Sequence, residues 1–129
     1  MDIKKIIPMC LVVIAMPLLS SCNEDVEVSL QTNGGNGSDC KTFISIENVG
    51  DDILDSIDLE LSLKKESADN VIIGYHRASH ILSGDSTKIK TNIYSGVCFD
   101  PEILNMYELK VRQCDYGNRT CKDSVKISR

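Results

Sequence analysis

The chain is 129 residues long and acidic, with 14 Lys plus Arg against 19 Asp plus Glu, a formal charge of −5, and no tryptophan. That length fits one domain beside a short processed segment. The charge balance disfavours nucleic acid and anionic lipid as partners of the folded part, because both are gripped through cationic contacts.

In the first segment, MDIKKIIPMCLVVIAMPLLSSC, Lys4 and Lys5 precede an apolar run from Ile6 to Leu19. The run falls short of the roughly 20 residues of a spanning helix, and Pro8 and Pro17 oppose one. A basic start, a short apolar centre and small residues at its end make a secretory signal. Leu19-Ser20-Ser21-Cys22 resembles the lipobox of bacterial lipoproteins. The resemblance implies diacylglyceration of the Cys22 thiol, cleavage before it and acylation of the new N-terminus. Several acyl chains on one residue exceed the two-signal threshold for stable anchoring. Asn23, where an aspartate would direct retention, implies outer-membrane sorting in enterobacterium-like species, with the domain facing the periplasm. The run Asn23-Glu24-Asp25-Val26-Glu27 also resembles the export signal of surface lipoproteins in Bacteroidetes-type bacteria, which implies display on the cell surface.

Removing residues 1–21 takes away two lysines and one aspartate and leaves one domain of acidic charge. The expected division is a signal peptide at 1–21, a lipidated tether at 22–39 and a β-sandwich domain at 40–129. Within the tether, VEVSL alternates Val26, Val28 and Leu30 and fits a first strand as well as it fits a linker. TNGGNGSD would then be the loop of a wide hairpin.

From Cys40 onward the apolar period is two. Cys40, Thr42, Ile44 and Ile46 share a face in CKTFISIENVG, and Ile57, Leu59, Leu61 and Leu63 share one in SIDLELSLKK. NVIIGYH and STKIKTNIY come next, the second alternating through Ile89, Thr91 and Ile93 after the turn SGD. PEILNMY offers one helical turn after Pro101. MYELKVRQC places Tyr107, Leu109 and Val111 inward, and KDSVKIS does so with Val125 and Ile127. Six or seven short strands with turns between them predict an all-β fold, a small antiparallel sandwich.

Two stretches resemble known families. FISIENVGDDILDSIDLELSL with SGDSTKIKTNI is similar to bacterial immunoglobulin-like adhesion modules, in which a strand ending in Asn-x-Gly leads to an alternating strand and a Gly-acid turn. FDPEILNMYELKVRQCDYGN resembles a strand of small β-sandwich lipoproteins that include type III secretion pilotins. Both imply a β-sandwich, immunoglobulin-like in the first case and pilotin-like in the second. The first implies adhesion and the second an accessory role in an envelope machine.

Cys10 leaves with the signal and Cys22 carries lipid, so Cys40, Cys98, Cys114 and Cys121 remain. An even count in an exported chain predicts two disulfides, and no C-x₂-C pair supports a metal. With Leu109 and Val111 inward, period two places Cys114 on the outer face, against an immunoglobulin-type bridge to Cys40. Gly117-Asn118 suits a two-residue hairpin turn that sets Cys114 opposite Cys121. The same register opposes Val111 to Ser124 and conflicts with the apolar pattern, which a bulge would reconcile. The expected bridges are Cys114–Cys121 and Cys40–Cys98.

His76 and His80 have the four-residue spacing of a helical zinc pair, but a strand there separates their rings by about 13 Å, so two surface histidines are expected. No serine sits in G-x-S-x-G, and the turn aspartates lack calcium-loop spacing. The sequons at Asn36 and Asn118 read as incidental, and the few aromatics disfavour sugar binding. The chain is expected to be non-enzymatic, without cofactor or metal. Its expected role is that of a lipid-anchored protein-interaction module with an envelope protein as partner, serving a secretion or pilus assembly. A surface-displayed adhesion or ligand-binding module, and an enzyme inhibitor acting through the loop DYGNRT, are the alternatives.

Overall fold

A computed structural model describes residues 24–33, 41–66, 68–93 and 101–128. It is all-β, with seven strands: β1 Val26–Thr32, β2 Thr42–Asn48, β3 Leu54–Leu63, β4 Val71–Ile81, β5 Ser86–Lys90, β6 Tyr107–Asp115 and β7 Val125–Ser128. They form a four-stranded sheet of order β5-β2-β1-β7 and a three-stranded sheet of order β4-β3-β6. VEVSL is thus part of a strand in the interior of a sheet. It pairs antiparallel with β2 from Val26↔Asn48 to Thr32↔Thr42.

The alternation read from the sequence lines the inner faces. Val26, Val28, Ile44, Ile46, Ile57, Leu59 and Leu61 are all buried, with Leu30, Leu109 and Tyr107 beside them. Burying side chains of this size stabilises the domain by about 1.5–3 kcal/mol each, before conformational entropy is set against it. Two pairings are those of an immunoglobulin-like sandwich, the second strand with the fifth and the third with the sixth.

The last strand departs from a plain antiparallel hairpin sandwich. β7 pairs parallel with β1, Val26↔Val125 to Ser29↔Ser128. The expected turn at Gly117-Asn118 does form, with Gly117 at φ 94. Tyr116 N–H bonds to Arg119 O, Cys121 N–H bonds to Cys114 O, and Asp115 bridges Thr120. The hairpin then stops. A 3₁₀ turn at Lys122–Ser124 carries the chain to the other sheet. The conflict between Val111 and Ser124 is resolved by parting the strands, since Val125 finds its apolar neighbour in Val26.

A bulge lies in β6 instead. Leu59 opposes Val111 while Asp58 opposes Gln113, which leaves Arg112 as the extra residue. That one insertion reverses the parity of the rest of the strand, so Cys114 opposes inward-facing Ile57 and is fully buried. The expectation that Cys114 lies on the outer face is therefore corrected, because a bulge breaks the period on which it rested.

Candidate functional site

Among the described residues the densest polar network lies at one end of the sandwich, where β1 begins, β2, β4 and β6 end, and β3, β5 and β7 start. Asn48, the last residue of β2, is fully buried. Its Nδ2 donates to Asp52 O and Ile81 O at 2.8 Å each, and its Oδ1 accepts from Gly50 N–H at 3.1 Å and from the Tyr116 hydroxyl at 2.9 Å. Its backbone N–H and C=O bond Asp85 and Gly84. This is the Asn-x-Gly element of the sequence. Gly50 is required because a Cβ there would stand 2.5 Å from the Tyr116 hydroxyl.

Asp25 is the second hub. Its carbonyl accepts from Val49 and Gly50 N–H and from the Tyr116 hydroxyl. Its carboxylate accepts from Arg119 Nη1 at 3.0 Å and from Ser124 Oγ at 2.7 Å. Arg119 also lies over the Tyr116 ring, 4.4 Å from its centroid. Burial and the adjacent Asp25 carboxylate push the Tyr116 hydroxyl up to about 12. The hydrogen bond to Asp25 likewise raises the pKa of Arg119. The cation of the DYGNRT loop is therefore committed to the fold, and Gly117 and Asn118 are its exposed tip.

Cys114 and Cys121 are joined, with Cα atoms 5.0 Å apart, in the core beneath this hairpin. Cys22, Cys40 and Cys98, the signal segment and the Asn36 sequon lie outside the described residues.

Along the three-stranded sheet, β4 is an edge strand of 11 residues with β3 as its sole strand partner among the described residues. Val71, Ile72 and Tyr75 are exposed on it, Tyr75 at 55%. Ile72 and Tyr75 oppose Ser62 and Glu60 on the outer face, where Arg112, the bulge residue of β6, lies 4.5 Å above the Tyr75 ring. Arg77 pairs with Asp58 at 3.4 Å beside them. Met106, at the end of the 3₁₀ turn Pro101–Met106, is exposed and bonds Lys64 N–H through its carbonyl.

The two histidines are not alike. His80 is exposed and has a positive φ of 58. His76 opposes Leu59 and faces the core side of the edge, which corrects its reading as a surface residue. Its Nε2 is buried without a hydrogen-bond partner among the described residues, and burial lowers its pKa. Among the described residues no three His, Cys, Asp or Glu side chains come together, and no cavity opens.

Compared with family models, with curated proteins and with solved structures, the chain gives no match.

Proposed function

We propose that this chain is a lipid-anchored, non-enzymatic interaction module of the bacterial cell envelope. It is held through Cys22 in the outer membrane and faces the periplasm, where it serves as a pilotin-like accessory of a secretion or pilus assembly. The observation that carries the reading is the edge of β4, which has no second strand partner among the described residues and exposes Tyr75, capped by Arg112, with Ile72 on the same outer face. Long edge strands normally carry charges or prolines against unwanted pairing. β4 has Arg77 as its one Lys or Arg and no proline, and its bulge at Ile73 leaves the stretch 74–79 as the regular part of the edge. An extended segment of a partner can add to such an edge by main-chain hydrogen bonds, while Tyr and Arg are the side chains that most often anchor interfaces.

Photo-crosslinking in intact cells tests this. Benzophenone side chains at Ile72 and Tyr75 should both join the protein to one envelope protein, and a probe at Lys88 on the other sheet should not. Tyr75→Lys with Ile72→Lys should abolish the assembly function while the domain stays folded. Cross-links confined to the other sheet, or full function in that double variant, defeat the proposal. Intact-mass spectrometry of the membrane fraction tests the anchor: a mature N-terminus other than acylated Cys22 ends that part of it.

A further inference from the structure

We infer that the end of the sandwich carrying Val49, Ile53 and Leu82 lies directly against the membrane, with these side chains entering the headgroup layer. The inference rests on the lipid anchor proposed above and adds an orientation and a lipid contact to it. The diacylglyceryl group of such an anchor is bonded to the Cys22 sulfur, so that sulfur stands at the level of the lipid glycerol. From Cys22 to Asp25 the chain has three residues, which span about 11 Å at most when fully extended.

Asp25 cannot swing away from the domain to serve as a tether. It is held by its own N–H to Ser124 O, by its carbonyl to Val49, Gly50 and Tyr116, and by its carboxylate to Arg119 and Ser124. Ser83 is tied to the same hub, because its hydroxyl donates to Gly50 O. The loops that contact Asp25 are therefore held within reach of the lipid surface.

Three large apolar side chains are exposed on those loops: Val49 at 38%, Ile53 at 45% and Leu82 at 47%. Apolar side chains at a bilayer interface stabilise binding in proportion to the area they bury. Asp51, Asp52 and Asp85 stand beside them in the sequence, and the first two are close enough to act on Tyr116. Carboxylates there suit the ammonium groups of zwitterionic phospholipid and oppose anionic headgroups. The ten residues of β3, at about 3.3 Å each, put Val71, Ile72 and Met106 roughly 30 Å further out. One end meets lipid and the other is left for a partner.

The absence of tryptophan makes single substitutions clean fluorescent reporters. The full chain is expressed, and acylated mature protein is recovered from membranes with its Cys22 modification read by mass. It is then reconstituted in phosphatidylcholine vesicles with and without brominated acyl chains. Leu82→Trp and Ile53→Trp should emit further to the blue on reconstitution and lose intensity to the brominated lipid, whereas Ile72→Trp should do neither. Replacing part of the phosphatidylcholine with phosphatidylglycerol should reduce the loss. Equal quenching at both ends, or none at Leu82 and Ile53 in acylated protein, overturns the orientation. Quenching that rises with phosphatidylglycerol overturns the lipid class. Mature protein without acyl chains on Cys22 overturns the anchor, and the orientation with it.

Discussion

The Tyr116 hydroxyl donates across 2.9 Å to Oδ1 of Asn48, and Gly50 leaves the space in which the two meet. This contact joins the last hairpin to the end of β2, and through Nδ2 of Asn48 to the end of β4. Tyr116→Phe should lower stability by about 0.5–1.5 kcal/mol, the range for losing a hydrogen bond whose acceptors keep other donors. Gly50→Ala should cost about 1–3 kcal/mol, because its methyl displaces the hydroxyl. The two changes share one space, so the double variant should lose less than the sum of the singles. Urea unfolding of all four proteins measures this, and strict additivity would contradict the contact.

Asn48→Ala should be the most damaging single change outside the apolar core. It takes the side-chain donor from the carbonyls of Asp52 and Ile81, while the Gly50 N–H and the Tyr116 hydroxyl keep Asp25 O as their acceptor. At about 1–3 kcal/mol for each of the two carbonyls that loses its donor, the total reaches at least about 2 kcal/mol. A thermal midpoint within a degree or two of the parent would show that Asn48 is not the hub described.

Alkaline titration should single out Tyr116. Its pKa of about 12 lies above the ordinary 10.0, so the folded state favours the neutral phenol. Between those values the unfolded chain has released a proton that the folded chain keeps, and stability falls as pH rises through that window. Absorbance of the tyrosinate band should show a late step that disappears in Tyr116→Phe.

His76 gives the opposite pH dependence. Its folded pKa lies below 6.5, since burial disfavours the imidazolium on the core side of β4. Stability is full above the unfolded value and falls as pH drops from about 6.5 toward the folded value. Its cross-strand neighbour is Leu59, and Gly74 and Ala78 flank it on the same face, so no carboxylate of β3 stabilises the charge there. Melting followed from about pH 8 to about pH 5 should be flatter for His76→Gln than for the parent.

The Cys114–Cys121 bridge closes a short loop, and chain entropy assigns it about 2.5 kcal/mol. The Cys114→Ala, Cys121→Ala double variant should lose that much in urea unfolding and keep the same far-ultraviolet spectrum, because the hairpin retains its backbone bonds.

Much of this fold is legible in the chain as alternation. Ile44 and Ile46, or Ile57, Leu59 and Leu61, announce both the strand and the face it buries. Alternation is silent on what lies beside a strand, so Val125 and Ile127 predict a strand without revealing that β1 is its partner. It also fails wherever one residue is added, as Arg112 shows by turning Cys114 inward. The Asp25 hub was illegible for a different reason. Acid next to an exported N-terminus reads as linker, and its partners Arg119 and Ser124 stand 94 and 99 residues away. His76 misled because its neighbours on the chain are polar while its neighbour across the sheet is Leu59.

The parallel pairing of β1 with β7 also has a mechanical meaning. A pull entering at Asp25 runs along the axis of β1, whose backbone bonds to β2 on one side and β7 on the other lie across that axis. Both ladders are then loaded in shear, so many bonds must give together where a peeling strand would release them singly. The same pull meets the Arg119 and Ser124 contacts before it reaches the strand. A domain tugged by whatever grips its far end would resist at its first strand, and would yield sooner if pulled from β7 alone.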